Sequence, residues 1–351
     1  MLVVSTRAPS KDPGLVYSGE RSPDTTAALV DVSVPPKHRA GRLELPRRRP
    51  ANPESEFAAV SVRSAGDALV RQWFHAANAE GKLLIYVHGF NVRFDDAVFG
   101  LAQIRVDSGI AAAPVLFAWP SRGQIFAYVY DRESANYSRD ALEQLIDLAC
   151  ASPDIKEVDI LAHSMGSWLA MESLRQLAIR HGALSPKVKS VVFAAPDLDV
   201  DVFGRQPEAL GPKRPYFIFL VSKDDIALRM SRWLAGGVQR VGAVDPAAEP
   251  YRSALEALPG VTVVDISRMR GSDGLNHSTF SSNPEVIKLL GALVEREGRA
   301  DLPKALTGSV LNITESLAIT IDAAVNPGAS SVQDQRKEAA GSTPPSPNPP
   351  R

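Results

Sequence analysis

A serine stands where an apolar run meets a helical pattern, in the segment VDILAHSMGSWLAMESL of residues 158–174. Ala162 lies two residues before Ser164 and Gly166 two residues after it, so small side chains flank the serine. A tight strand-to-helix turn of this kind exposes the hydroxyl and places the next backbone amide at a helix N-terminus, where it stabilises negative charge. The pattern predicts a nucleophile, although alanine replaces the first glycine of G-x-S-x-G. The alternative is that the serine only caps the helix.

Acyl transfer by a serine also requires a histidine base and a carboxylate that orients the base. In this architecture the acid follows the serine along the chain, and the histidine follows the acid. Asp224 and Asp225 come after a later apolar run, and His277 comes after the next one. This order makes His277 the candidate base and one of the two aspartates the candidate acid, with capping of the following helix as the competing interpretation of Asp225. Asp197, which follows the preceding run, is the alternative acid, and turn formation is the competing interpretation of that residue.

Regular elements must hold these residues together, and the chain alternates between apolar runs and helical patterns. The run LLIYVHG precedes the helical pattern FDDAVFGLAQIRVDSG, and the run VTVVDIS precedes NPEVIKLLGALVERE. Strands that are apolar throughout and alternate with helices predict an α/β fold with a doubly wound, mostly parallel sheet and helices on both faces. Ligands bind at the carboxyl ends of the strands in such a sheet, which is where the candidate residues occur.

Several segments together resemble the α/β-hydrolase superfamily, in a bacterial esterase/lipase-like branch that is catalogued as a domain family of unknown function. The segments are YVHGFN, LFAWPSRG, YDRESANYSRDALEQL, LAHSMGSWLAMESLRQ, AAPDLDVDVF, SKDDIAL and NHSTF. The resemblance implies the α/β-hydrolase fold and a catalytic triad of Ser164, Asp225 and His277. It also implies that the backbone N–H groups of Phe90 and Met165 form an oxyanion hole. The aspartate beside the implied acid stays its main alternative.

Histidines and carboxylates near strand ends make a metallohydrolase a rival class. His88 and His163 adjoin predicted strand ends, and Asp197, Asp199 and Asp201 form an acidic run. The sequence has no H-x-H or H-E-x-x-H pattern, and the acidic run has valine where the sharp turn of a calcium loop needs glycine. His88 is better explained as a hydrogen-bonding residue beside the oxyanion loop. We therefore predict no metal, and the absence of phosphate-loop motifs predicts no nucleotide cofactor.

These residues predict a serine hydrolase that cleaves a carboxylic ester of a small molecule or a lipid. The same triad would serve a thioesterase, an amidase or a lipid acyl hydrolase, so these alternatives stay open. A protein that keeps the fold without turnover is an alternative of another class, because fold alone does not establish activity. It would use the proline-rich tail and the basic arm to bind a partner.

Composition excludes further classes of function. The chain has 351 residues, 44% of them apolar, and a formal net charge of −1, which favours a globular protein without general attraction to nucleic acid. Its single cysteine, Cys150, excludes an intrachain disulfide and is expected to be a packing residue. No apolar stretch reaches the roughly 18 residues of a membrane span.

The sequence as written predicts that the protein is cytoplasmic, whereas a missing upstream leader would predict export. Nothing in the sequence specifies an oligomeric state.

Four regions are predicted along the chain. Residues 1–56 form a strand-bearing arm, and residues 57–300 form the α/β-hydrolase domain. Residues 301–325 form a docking helix, with a strand as the alternative because of their Thr and Ile content. Residues 326–351 form a disordered proline-rich tail, since they have almost nothing to bury. The basic, proline-broken segment PPKHRAGRLELPRRRPANP inside the arm is expected to be a solvated linker.

Overall fold

The computed structural model describes residues 1–12, 16–76, 80–211, 214–256, 260–295 and 313–315. Its strands are β1 (Leu2–Pro9), β2 (Tyr17–Ser33), β3 (Ala58–Ala65), β4 (Lys82–Val87), β5 (Ala113–Ala118), β6 (Glu157–His163), β7 (Val188–Ala194), β8 (Tyr216–Val221), β9 (Val261–Asp265) and β10 (Ile313–Glu315). Its helices are α1 (Asp67–Ala76), α2 (Phe94–Ser108), α3 (Tyr128–Tyr137), α4 (Arg139–Ala151), α5 (Met165–His181), α6 (Val200–Arg205), α7 (Ile226–Leu234), α8 (Tyr251–Glu256), α9 (Thr279–Ser282) and α10 (Pro284–Glu295). Short 3-10 turns cover Ile125–Ala127, Pro207–Leu210 and Val241–Ala243.

The described strands form one sheet in the order β10-β9-β8-β7-β6-β4-β5-β1-β2-β3. Every neighbouring pair from β9 to β1 is parallel. Antiparallel pairs occur only towards the edges, where β2 joins β1 and β3, and β10 joins β9. This arrangement confirms the predicted mostly parallel, doubly wound α/β fold.

Helices cover both faces of the sheet, which explains why the central strands are apolar throughout. Ile85 and Ile160 point to one face and pack with side chains of α1, α4 and α5. Leu84 and Leu161 point to the other face and pack with α2 and α10. Successive residues of a strand alternate between faces, so a strand buried on both sides needs an apolar residue at nearly every position.

The N-terminal region is part of this sheet. Strand β1 lies between β5 and β2, and its residues Leu2 and Val3 are fully buried. The two apolar stretches that predicted strands, LVVST and ALVDVSV, lie within β1 and β2 or overlap their ends. Strand β3 was not predicted, because it is an edge strand whose Val60 and Val62 are exposed. Helix α1 was also not predicted, although its buried Val70 and Phe74 lie at helical spacing.

Two predicted helical segments differ from the structure. The segment ESANYSRDALEQLIDLA forms the end of α3 and then α4, with a break at Ser138. The Ser138 hydroxyl bonds the hydroxyl of Thr6 and donates to the carbonyl of Ser134, both at 2.8 Å, which ties the break to β1. Within residues 301–325, for which a docking helix was predicted with a strand as the alternative, Ile313–Glu315 is a strand paired with β9. The rest of that segment and the predicted tail lie outside the described residues.

No described helix combines the length and the apolar character that crossing a membrane requires.

Candidate active site

Ser164 lies at a sharp turn between the end of β6 at His163 and the start of α5 at Met165. Its backbone angles are φ 52° and ψ −122°. A residue other than glycine adopts such a sparsely populated conformation at a cost of about 1–3 kcal/mol. The Ser164 side chain makes no capping hydrogen bond to α5. Helix capping therefore does not explain why a serine occupies this position.

Close packing explains the small residues near the turn. A Cβ atom on Gly166 would lie 2.3 Å from the carbonyl oxygen of His88 and 2.5 Å from that of Val87. A Cβ atom on Gly89 would lie 3.0 Å from the Cβ atom of Ser164. The loop that follows β4 therefore presses directly against the serine turn, and any larger residue at these glycines would force the two apart.

His277 is held by a buried carboxylate. Its Nδ1 atom lies 2.7 Å from Oδ2 of Asp225, whose side chain is fully buried. Because a carboxylate oxygen accepts, Nδ1 carries the proton and Nε2 is left as the basic nitrogen of the neutral ring. The backbone N–H of His277 donates to Oδ2 of Asp273 at 2.9 Å, which fixes the loop that carries the ring.

Asp225 performs two tasks with its two oxygens. While Oδ2 faces His277, Oδ1 accepts from the backbone N–H of Leu228 at 2.9 Å and caps α7. Asp224 is exposed, in contrast with its buried neighbour. Helix capping was the competing interpretation of Asp225, and the structure has both contacts, with His277 and with the start of α7, on this one residue.

The pKa of His277 is raised above its ordinary value of 6.5 by opposing effects. Burial, the largest single effect, lowers it, but the hydrogen bond and the charge of Asp225 raise it, and the charges of Asp197 and Asp273 add to this. The buried carboxylate thus favours the imidazolium form, which is the form that a base reaches after it accepts a proton.

His277 lies beside the serine turn. Its ring centroid is 4.8 Å from that of His163, the residue before Ser164, and the His163 ring is 4.6 Å from that of Phe280. The Nε2 atom of His163 also contacts the carbonyl oxygen of His277 at 3.4 Å. Burial lowers the pKa of His163 well below 6.5, so this ring is a neutral packing partner.

Asp197, the alternative acid, belongs to a different buried network. Its carboxylate accepts from the hydroxyls of Ser231 at 2.6 Å and Tyr128 at 3.1 Å, and it lies 3.2 Å from Nε of Arg240. Its backbone N–H donates to the carbonyl of Ser164 at 3.1 Å. The charge of Asp197 raises the pKa of His277, but its oxygens accept from Ser231 and Tyr128.

The two amides implied for the oxyanion hole lie on the loop after β4 and at the start of α5, which meet at Ser164. Met165 is the first residue of α5, and the leading N–H groups of a helix have no intrahelical acceptor. Phe90 follows Gly89, the residue that packs on the Ser164 side chain. The ring of Phe90 contacts that of Tyr128 edge to face, with centroids 5.3 Å apart, which anchors the loop.

A buried arginine that the sequence reasoning missed holds this loop from behind. Arg7 of β1 donates from Nη2 to the carbonyl of Val92 at 2.8 Å and contacts Nε2 of His88 at 3.3 Å. Its Nη1 donates to the carbonyls of Ser121 at 3.0 Å and Ser18 at 3.2 Å. Burial lowers the pKa of Arg7 to about 10, so it stays a cation at neutral pH.

His88 is correspondingly a neutral structural residue, as its place before a glycine suggested. Its Nδ1 donates to the carbonyl of Gly89 at 2.9 Å, so Nε2 is the acceptor for Arg7. Burial and the Arg7 charge lower the pKa of His88 to about 3. Trp119 stacks on its ring at 4.9 Å between centroids and donates from Nε1 to its carbonyl at 2.7 Å.

The acidic run has structural roles of its own. Asp199 caps α6 by accepting from the backbone N–H groups of Asp201 and Val202. Within the part of the chain that the structure describes, no three His, Cys, Asp or Glu side chains are grouped so as to hold a metal ion.

The sheet topology and the serine turn at its carboxyl edge define the class of α/β hydrolases. Residues 67–293, more than half of the chain, match the family described as alpha/beta hydrolase of unknown function (DUF900), and the chain belongs to that family. The predicted resemblance is thereby confirmed. An uncharacterized protein of Nostoc sp. strain PCC 7120 is 29% identical over 157 residues, which are 43% of this chain and only 36% of that protein's length.

Solved structures with overall similarity share little sequence. A lipase-esterase related protein from Clostridium acetobutylicum is 11% identical, with 62% of this chain and 94% of that chain covered and a TM-score of 0.35. A predicted CIB-like hydrolase from Thermoplasma acidophilum is 12% identical, with 67% and 91% covered and a TM-score of 0.35.

Proposed function

We propose that this hydrolase cleaves carboxylic esters through an acyl-enzyme on Ser164, with His277 as the base and Asp225 as the acid. The observation that carries the proposal is the 2.7 Å contact between Nδ1 of His277 and the buried Oδ2 of Asp225. This pair lies beside Ser164, which has a φ of 52° and makes no capping hydrogen bond to α5. The order of the three residues along the chain supports the same assignment.

In the proposed reaction, Nε2 of His277 removes the Ser164 proton while Oγ attacks the acyl carbonyl. The carbonyl π bond breaks, and its electron pair becomes an oxyanion that the N–H groups of Phe90 and Met165 stabilise. Collapse of this intermediate expels the alcohol, which takes the proton from His277. Water then attacks the acyl-enzyme by the same steps and releases the carboxylic acid.

In the proposed mechanism, different residues orient the base, stabilise charge and support the loop that carries Phe90. Asp225 fixes the ring so that Nε2 is the free basic nitrogen, and its charge stabilises the imidazolium formed in each step. The Met165 amide benefits from the N-terminus of α5, where the helix dipole favours the developing negative charge. Arg7 and His88 support the loop that carries Phe90 and take no proton in the reaction.

The test is covalent labelling of the purified protein with a fluorophosphonate probe. We expect the native protein to be labelled, and we expect Ser164→Ala and His277→Ala to abolish labelling while thermal denaturation stays cooperative. Ser167→Ala is a matched control, because Ser167 is a buried serine in the first turn of α5, three residues after Ser164 and outside the proposed triad. A folded native protein that resists the probe would overturn the proposal, as would labelling that survives Ser164→Ala.

A further inference from the structure

Six large apolar side chains near the candidate site point into solvent. Each is more than half exposed: Ile125, Phe126, Val129, Met230, Trp233 and Leu234. We call these residues the apolar rim. Single exposed apolar side chains are ordinary on a protein surface, but a group of them marks an interaction surface.

The apolar rim comes from two elements that meet at the site. One part lies on the 3-10 turn Ile125–Ala127 and the first turn of α3, and the other lies on α7. Tyr128 connects them, because its hydroxyl lies 3.0 Å from that of Ser231 on α7 and both contact the carboxylate of Asp197. Tyr128 also packs on Phe90, and α7 begins directly after Asp225. The rim therefore borders the proposed catalytic residues on two sides.

Helix α7 has its polarity arranged in an unusual way. Leu228 and Ser231 form its buried side, whereas the exposed side carries the rim residues together with Arg229 and Arg232. A surface helix ordinarily presents polar residues to water. From Ile226 to Leu234, α7 contains two arginines and no carboxylate. The side chain of Arg232 also donates from Nε to the carbonyl of Gly237 at 2.8 Å. A tryptophan and aliphatic residues beside arginines are typical of helices that lie in a lipid interface.

We propose that the apolar rim, with Arg229 and Arg232, docks the protein on an anionic lipid surface and that its substrates are lipid esters in that surface. This rests on the proposed esterase function and names its substrate class. The charges favour lipid over a second copy of the chain. Around a two-fold axis through α7, the arginines of both copies would face one another, and the helix offers no carboxylate to pair with them.

The first test is sedimentation of the full chain with vesicles of phosphatidylcholine containing phosphatidylglycerol, in a Ser164→Ala background so that binding is measured without turnover. We expect Phe126→Ser with Trp233→Ser to lower the partition coefficient at least tenfold. We expect Arg229→Gln with Arg232→Gln to remove most of its salt dependence. Val106→Ser with Ile179→Ser is the matched control, because these exposed residues lie on α2 and α5, outside the apolar rim. Thermal denaturation verifies that each variant is folded.

Three results would overturn the proposal. The first is no sedimentation with the anionic vesicles, and the second is equal loss in rim and control variants. The third is a dimer in light scattering that Trp233→Ser dissociates, since the apolar rim would then bind a second copy. Because vesicle binding does not need the serine nucleophile, failure of probe labelling alone would overturn the esterase function and leave a lipid-binding surface.

The second test concerns the substrate class. With the Ser164 protein active, we expect release of fatty acid from vesicle lipids to fall at least tenfold in Phe126→Ser with Trp233→Ser, relative to the hydrolysis of a dissolved p-nitrophenyl ester by the same sample. An unchanged ratio of the two activities would assign the apolar rim to another ligand and would contradict lipid as the substrate.

Discussion

At the scale of single residues, Asp225 is the centre of the candidate site because its two oxygens serve two different partners. Oδ2 faces the Nδ1 of His277, and Oδ1 caps α7 through the N–H of Leu228. A residue with both duties cannot be replaced by a side chain that keeps only one of them. Substitutions of Asp225 can therefore separate its contact with His277 from its capping of α7.

We expect Asp225→Asn to lower kcat about 10⁴-fold, because an amide can still accept from Leu228 but presents an N–H group to His277 and selects the wrong tautomer. Asp224→Asn is the matched control and should keep most of the activity, since Asp224 is exposed. Steady-state kinetics with a p-nitrophenyl ester measures both. Equal losses in the two variants would contradict the assignment of the acid.

The pH profile provides a second test at this scale. His277 must be neutral to accept a proton, and its pKa is raised above 6.5. We therefore expect kcat/KM to fall on the acid side with an apparent pKa above 6.5, and we expect Asp225→Asn to shift this limb to lower pH, because the imidazolium loses its counter-charge. An acid limb below pH 6 in the native protein would be inconsistent with this geometry.

At the scale of elements, β1 matters because it places Arg7 behind the loop that carries Phe90, where it contacts His88 and the carbonyl of Val92. The guanidinium contacts carbonyls of three separate segments, at Ser18, Val92 and Ser121. Removing the donors leaves the buried carbonyl of Ser121 without this partner, which costs about 1–3 kcal/mol, and it weakens the partly buried contacts with Ser18 and Val92. The loop would also lose a fixed support.

We expect Arg7→Lys to lower the free energy of unfolding by about 2–4 kcal/mol, because an ammonium cannot reproduce the planar set of donors. At a temperature where the variant is folded, we expect kcat to fall while KM changes little. Arg63→Lys on the exposed face of β3 is the control. A stability loss with kcat intact would assign Arg7 to folding alone.

The sequence revealed the triad candidates but not this arginine, for a physical reason. Ser164, Asp225 and His277 each follow an apolar run, so a local pattern and the chain order identify them. Arg7 is recognised only through a contact with His88, which is 81 residues away along the chain. No periodicity in one segment reports such a contact. Edge strand β3 was not predicted because its two valines are exposed, so the strand has no alternation of buried and exposed residues.

At the scale of the whole molecule, the buried carboxylate of Asp159 affects how stability depends on pH. Asp159 lies in β6, is 4% exposed, and accepts from the hydroxyl of Ser190 on β7 at 2.5 Å. Burial raises its pKa from 3.8 to about 7. The folded state therefore binds this proton more tightly than the unfolded state, and the site destabilises the protein increasingly as the pH rises from 3.8 to about 7.

We expect Asp159→Asn to stabilise the protein at pH 8 by about 1–3 kcal/mol, because it removes the cost of a buried charge. The gain should shrink as the pH approaches 4, where the native carboxyl is already protonated in the folded state. Urea denaturation at both pH values measures the difference. Asp24→Asn, at an exposed position of β2, should change neither value, and a gain independent of pH would contradict this account.

The backbone of Ser164 has a consequence for any attempt to engineer this molecule. At φ 52° and ψ −122°, folding alone would favour glycine at this position. We expect Ser164→Gly to raise the melting temperature above that of Ser164→Ala, in scanning calorimetry, while both remove the proposed nucleophile. A screen that selects only for thermal resistance would thus favour loss of the proposed nucleophile, so selection on this protein must include a catalytic readout.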